Sequence, residues 1–288
     1  MIIPIFKKAF TLGSVILVCL LTACNNVQTR LENADEISFA NNFIKKTIQT
    51  ERFNLVSYQK ATRPSKTAVI YIEGDGFAWK NKYQVSANPT PNNPVALKLA
   101  AIDTSSIVIY IARPCQFINI DNEKHCHNQY WTYKRASQEV IESINAAIDK
   151  TKAQLNFNKI RLVGYSGGAT IAAVLAATRD DIIDLRSVAG NLDIEKFVEA
   201  HKVTPLTGSI NPISYANKLY KIPQSHFISV NDTVITKSII NSYIQSLKSF
   251  DIDLKCINVS ELTQPEHSRG WETSWANQNF NKALSCHN

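Results

Sequence analysis

The chain is short of the residues that build repetitive or extended architectures. Nine glycines and ten prolines in 288 residues exclude collagen-like and low-complexity classes. No segment recurs at a period of roughly 20–50 residues, which argues against solenoids and propellers. After the first 25 residues no apolar run reaches the ~18 residues of a membrane-spanning helix. Dense Lys/Arg blocks and nucleic-acid-binding motifs are missing, so no nucleic-acid partner is expected. No stretch reads as an inter-domain linker, and the expectation is one domain. What is present is ordinary for a folded protein: 44% hydrophobic residues and a net charge of +7, which excludes wholesale disorder.

The N-terminus has the pattern of an export signal. Lys7 and Lys8 precede an apolar stretch from Ala9 to Leu21, which ends in Leu21-Thr22-Ala23-Cys24. That ending resembles the bacterial lipobox. The resemblance implies that residues 1–23 are a lipoprotein signal peptide and that Cys24 is lipidated, anchoring the chain to a membrane of the bacterial cell envelope. Residue 25 is Asn, not Asp, so the usual inner-membrane retention signal is absent. In a Gram-negative source the implied destination is the periplasmic face of the outer membrane. A plain secretory signal with a chance cysteine is the competing reading. Loss of residues 1–23 removes Lys7 and Lys8 and leaves a net charge of +5. That balance favours anionic lipid or simply reflects a lysine-rich solvated surface.

Cysteine usage agrees with export. Cys19 leaves with the signal and Cys24 takes lipid, which leaves Cys115, Cys126, Cys256 and Cys286. An even count in an oxidising compartment suggests two disulfides. Local pairing, Cys115–Cys126 and Cys256–Cys286, is the expected choice among three connectivities. His125-Cys126-His127 lies near Cys115 and raises a metal reading. The tripeptide does not match structural zinc spacing, so no metal is expected.

Along the chain, residues 24–50 read as a lipidated tether followed by a helix over residues 34–48, and residues 51–288 as the folded domain. Strands are expected over residues 53–59, 67–72, 107–112, 160–163, 182–188, 226–230 and 254–259 from their β-branched and aromatic content. Helices are expected over residues 137–155, 169–177, 194–201, 237–250 and 270–284. Residues 74–94, with three prolines, read as loop. Strands alternating with helices imply an α/β fold, a mostly parallel central sheet flanked by helices.

Gly164-Tyr165-Ser166-Gly167-Gly168 fits G-x-S-x-G, and it sits where a strand turns into a helix. That geometry projects a serine hydroxyl above a sheet, with the helix N-terminus aimed at a developing oxyanion. A glycine-rich turn without chemistry is the bland alternative. The string also differs by one residue from the GDSGG of serine proteases. That fold needs His then Asp upstream on an all-β scaffold, whereas the first histidine here is His125 and the chain alternates helix and strand.

On this motif the chain resembles the α/β-hydrolase fold over residues 51–288. The segments EGDGFAW, ARPCQ, Cys126-x-x-x-Tyr130-Trp131-Thr132, VAGNLD and SINP also look like those of bacterial exported α/β-hydrolase-like proteins. The fold's Ser–acid–His order implies a triad of Ser166, Asp232 and His267. Asp232 follows an expected strand, where a turn or cap role competes; Asp251 and Asp253 are poorer placed. His125, His127 and His201 precede the acid, His226 lies within a strand and His287 adjoins the C-terminus. His267, after the last expected strand, is the candidate base. The loop Glu73-Gly74-Asp75-Gly76 stands where the family carries a glycine pair, often after histidine. Backbone N–H groups of Asp75, Gly76 and Gly167 are the implied oxyanion donors. The Asp75 carboxylate would repel an anion there unless paired, with Lys80 or Lys82 as the nearest partners in sequence. Five of the nine glycines, at 74, 76, 164, 167 and 168, lie in these two motifs.

Phe77, Trp79 and Tyr165 are candidates for pocket walls or for core, and residues 190–222 for a pocket roof. The resulting expectation is a serine hydrolase of esterase type, acting without a cofactor on a small acyl ester or an envelope-derived substrate. A catalytically inactive envelope lipoprotein that binds a partner, and a peptidase or thioesterase on the same triad, are the alternatives.

Overall fold

The computed structural model describes residues 26–278 and 284–286. The signal segment, Cys19 and the proposed lipidation site Cys24 lie outside them. Helix α1 spans Val27–Ala40, capped by the Asn26 side chain, which accepts from the Thr29 N–H. It starts seven residues earlier than the sequence suggested (27 against 34). The last third of the expected helix is instead part of strand β1, Ile44–Gln49. Asn42, with φ +61, turns the chain between them, a conformation asparagine tolerates better than most residues. The backbone of β1 is satisfied by antiparallel pairing with β2, Asn54–Ala61. Pairing with an open sheet edge overrode local helix propensity here.

Strands β3 (Thr67–Ile72), β6 (Ile107–Ile111), β7 (Lys159–Tyr165), β8 (Ile182–Val188), β9 (Gln224–Ser229) and β10 (Ile257–Leu262) complete the main sheet. The order is β1-β2-β6-β3-β7-β8-β9-β10, and every pair beyond β2·β6 is parallel. A separate small hairpin pairs β4, Trp79–Asn81, with β5, Gln84–Val85. Both faces of the main sheet are covered. On one, Ile70, Ile72, Ile109 and Leu162 pack against α3 (Gln138–Leu155), α4 (Gly167–Thr178), α6 (Ala216–Leu219) and α7 (Lys237–Lys248). On the other, Val69, Tyr71, Val108 and Tyr110 pack against α1, α2 (Val95–Ala101) and α8 (Trp271–Ala276). Alternate residues of one strand therefore serve two cores, which is why β3 and β6 read as unbroken apolar runs.

Helix α2 falls just past the loop expected at residues 74–94, directly after Pro94. The remaining helix, α5, spans Ile194–His201, as expected. At 270–284, α8 covers Trp271–Ala276 and residues 279–283 lie outside the described ones.

Candidate active site

In a parallel sheet the carboxyl ends of the strands point one way, and ligand sites collect there. Ser166 sits at the carboxyl end of β7, as the residue before α4. Its backbone is strained, at φ +50 and ψ −122. The turn is held because the Ser166 N–H donates to the Val188 carbonyl at 3.0 Å. It also requires glycine on both sides. A Cβ on Gly164 would lie 2.4 Å from Ala169 Cα, and one on Gly168 would lie 2.3 Å from the Ile72 carbonyl oxygen.

Two further loops converge on this serine. After β9, the Asp232 carboxylate uses one oxygen, Oδ1, to accept from the N–H groups of Val234 and Ile235, each at 2.8 Å. The other, Oδ2, lies 2.9 Å from His267 Nδ1. After β10, His267 Nε2 lies 3.1 Å from Ser166 Oγ. The turn role and the pairing role of Asp232 are thus both present, one on each oxygen. The His267 carbonyl accepts from Tyr165 Oη and from Trp271 Nε1, each at 2.9 Å. The loop is therefore tied both to the serine turn and to α8. His226, set aside because it falls in a strand, is fully buried in β9. Burial pushes its imidazole down to about 3.

The Glu73–Gly76 loop follows β3 and lies alongside. A Cβ on Gly167 would lie 2.2 Å from Asp75 Oδ1, so only glycine fits beside that carboxylate. The backbone N–H groups of Asp75, Gly76 and Gly167 have no hydrogen-bond partner among the described residues. Gly76 has φ +69, and a Cβ there would meet the Pro89 carbonyl oxygen at 2.0 Å. The Gly74 carbonyl accepts from Gln116 Nε2 at 3.0 Å.

The expected partners of Asp75, Lys80 and Lys82, are not the ones it finds. Arg113 Nη1 lies 3.1 Å from Oδ1 and Arg135 Nη1 lies 2.6 Å from Oδ2. Burial alone would raise the Asp75 carboxyl, but the two guanidiniums outweigh it and hold it below its ordinary value. One carboxylate between two arginines carries a net positive charge, so this cluster favours an anion rather than repelling one. Glu73 is buried behind it and accepts from the Gly74 N–H at 2.9 Å and from Tyr110 Oη at 3.2 Å. Its burial pushes the carboxyl up to about 7. Sequence reasoning missed Arg113, Arg135 and the burial of Glu73. The signal was the adjacency of ARPCQ to a strand end on the serine's rim, which no spacing rule connects to EGDG.

Cys115 pairs with Cys126 and Cys256 with Cys286, the expected local connectivity. The first clip sits next to Gln116, which holds the Gly74 carbonyl. Cys126 is thereby unavailable as a metal ligand. Among the described residues no group of three or more His, Cys, Asp or Glu side chains is arranged around a metal position.

A cavity of about 420 Å³ opens above Ser166 and His267. Phe77, Trp79, Phe197, Val234 and Ile235 give it an apolar wall, and Arg135 reaches its edge. Tyr165 also lines it. Of residues 190–222, only Asn191 and Phe197 do so, and the expected roof is a partial wall. A wider groove beside α3 and α4 is lined by Lys152, Arg179 and Asp181 and includes none of these residues.

No protein-family model matches the chain, and no curated relative matches it. Solved structures do. An esterase of Pyrococcus furiosus superposes with a TM-score of 0.58 at 15% identity, over 83% of this chain and 91% of that one. An α/β serine hydrolase homologue from Coxiella burnetii gives 0.53 at 14% identity, over 78% and 89%. The acylaminoacyl peptidase of Pyrococcus horikoshii gives 0.57 at 11% identity, over 81% of this chain and 39% of that one.

Proposed function

We propose that this chain, which has the α/β-hydrolase fold, is a serine hydrolase acting on carboxylic esters through Ser166, His267 and Asp232. The observation that carries the reading is the unbroken path from Ser166 Oγ through His267 to Asp232 Oδ2, at 3.1 and 2.9 Å, beginning on a strained turn. Strain of that kind persists only where the surroundings impose it. In this reading the Ser166 oxygen attacks the ester carbonyl while His267 Nε2 takes its proton. Asp232 orients the imidazole and stabilises its cation. The N–H groups of Gly167 and of Asp75 or Gly76 receive the oxyanion, each such donor being worth about 3 kcal/mol of barrier. His267 then returns the proton to the departing alcohol. A water deprotonated by His267 next releases the acid from the acyl-enzyme. No step draws on a cofactor. The apolar wall of Phe77, Trp79 and Phe197 suits an acyl chain better than a polar one. Export and lipid attachment at Cys24 belong to the same proposal.

The test is labelling of the full chain by a fluorophosphonate, with peptide mass mapping. An adduct on Ser166 that disappears in Ser166→Ala and His267→Ala supports the proposal. A folded, disulfide-intact protein that takes no label would sink it and favour a non-catalytic binding protein.

A further inference from the structure

The rim of the cavity carries a feature that hydrolysis does not need. Hairpin β4–β5 projects from it, with Lys80, Lys82 and Tyr83 at its exposed tip. Tyr83 is 82% exposed and Trp79, which also lines the cavity, is 44% exposed. Val234, which also lines the cavity, is exposed too. Tryptophan and tyrosine with apolar bodies and polar tips, interleaved with lysines, are the side chains that settle at the headgroup level of a bilayer. The carboxylates around the mouth do not oppose this charge. Of the two that line the cavity, Asp75 is held by two arginines and Glu73 is 1% exposed; the exposed Glu266, next to His267, is paired with Arg269 at 2.8 Å.

A second observation orients the same face. Residues 1–25 join the described chain at Asn26, the cap of α1. One turn into that helix, Arg30 lies over the Phe77 ring, 5.2 Å from its centroid, and donates to the Thr90 carbonyl. Phe77 lines the cavity. Arg30 thereby ties the first turn of α1 to a residue of the cavity wall. Cys24, the proposed lipidation site, precedes Asn26 by two residues in the sequence. Two residues of chain span at most about 7 Å, so an attachment at Cys24 would hold the start of α1, which Arg30 ties to Phe77, near the membrane.

We propose that the cavity rim docks on the anionic interface of a lipid bilayer, with hairpin β4–β5 as the contacting tip. The mouth then opens onto the membrane, and an amphiphilic ester enters its apolar wall directly from the lipid. The docking stands on the rim alone. Only the entry of an ester rests on the hydrolase reading.

Trp79 is a built-in reporter, because Trp131, Trp271 and Trp275 are all at most 5% exposed. The full chain carrying Ser166→Ala is reconstituted into vesicles of phosphatidylglycerol and phosphatidylcholine. The vesicles contain lipid spin-labelled near the headgroup. The expected result is quenching of tryptophan emission that vanishes in Trp79→Phe and weakens as phosphatidylglycerol is withdrawn. Lys80→Glu with Lys82→Glu should lower the docking constant roughly thirtyfold or more, the effect of losing two surface lysines. With Ser166 in place, the same pair should still hydrolyse a short soluble ester at the unmodified rate. Vesicle-bound protein whose Trp79 is unquenched, or quenching indifferent to the charge reversal, overturns the docking. Quenched Trp79 beside a Ser166 that takes no fluorophosphonate leaves the docking standing and removes the hydrolase reading.

Discussion

Asp75 shows how a residue that looks like a liability in sequence becomes part of a site. Its carboxylate fills the space beside Gly167 and is gripped by Arg113 and Arg135. Replacing it with asparagine leaves one buried guanidinium, Arg113, and one half-buried, Arg135, without their counter-charge. The expected cost is about 3–5 kcal/mol of stability, as for breaking one side of a buried ion pair, and thermal unfolding checks it. The Asp75 carboxyl is depressed in the fold, so its contribution is present above the ordinary carboxylate value of 3.8 and lost as pH falls through its lower folded value. Glu73 works in the opposite sense. Its folded value is raised from 4.5 to about 7, so its contribution is fully present below 4.5 and is lost as pH rises through 7. Glu73→Gln should flatten a decline in stability between those two values, measured by denaturant unfolding across pH. For the proposed chemistry, Asp232→Asn should lower kcat by about 10⁴ while the fold is kept, read from ester hydrolysis beside a circular dichroism spectrum. A smaller loss would show that Asp232 is needed only for its turn.

At the scale of elements, the candidate site is a meeting of four strand ends, those of β3, β7, β9 and β10, and three of the loops are fixed by a device outside the proposed triad. The serine turn is fixed by close backbone contact at Gly164 and Gly168. The His267 loop is fixed by Tyr165 and Trp271, and the Glu73–Gly76 loop by Gln116 beside the Cys115–Cys126 clip. Cys115→Ser with Cys126→Ser opens a loop of 11 residues. The expected loss is about 3 kcal/mol on the loop-closure model. Because Gln116 then loses its anchor, kcat for ester hydrolysis should fall more than KM rises, which steady-state kinetics can separate. The serine motif was legible because G-x-S-x-G ties a covalent spacing to one backbone shape. Strand β1 was not, since Ile44–Gln49 has helix-compatible residues and only the open edge of β2 makes it a strand.

At the scale of the molecule, two apolar layers on one sheet account for the stability and leave the carboxyl edge to carry the site. Trp275 ties the far side of that edge to the core. It is 1% exposed, packs edge-on against Tyr71 and Phe227, and donates from Nε1 to Tyr71 Oη at 3.0 Å. Trp275→Ala should cost about 3–5 kcal/mol in denaturant unfolding, with α8 and the His267 loop loosened together. The fold class and the order of most elements followed from periodicity and chain order, which are properties of the string. The pairs Ser166–His267 and His267–Asp232 followed only from the resemblance of the G-x-S-x-G segment to the α/β-hydrolase fold, and the local cysteine pairing was one choice among three connectivities. The partners of Asp75, the burial of Glu73, the strand at Ile44–Gln49 and the place where α1 meets the rim were decided by tertiary structure alone. Arg113 and Arg135 are 38 and 60 residues from Asp75. No local rule links them. Only the folded chain brings them to one edge of the sheet, where each carboxylate oxygen of Asp75 meets one guanidinium.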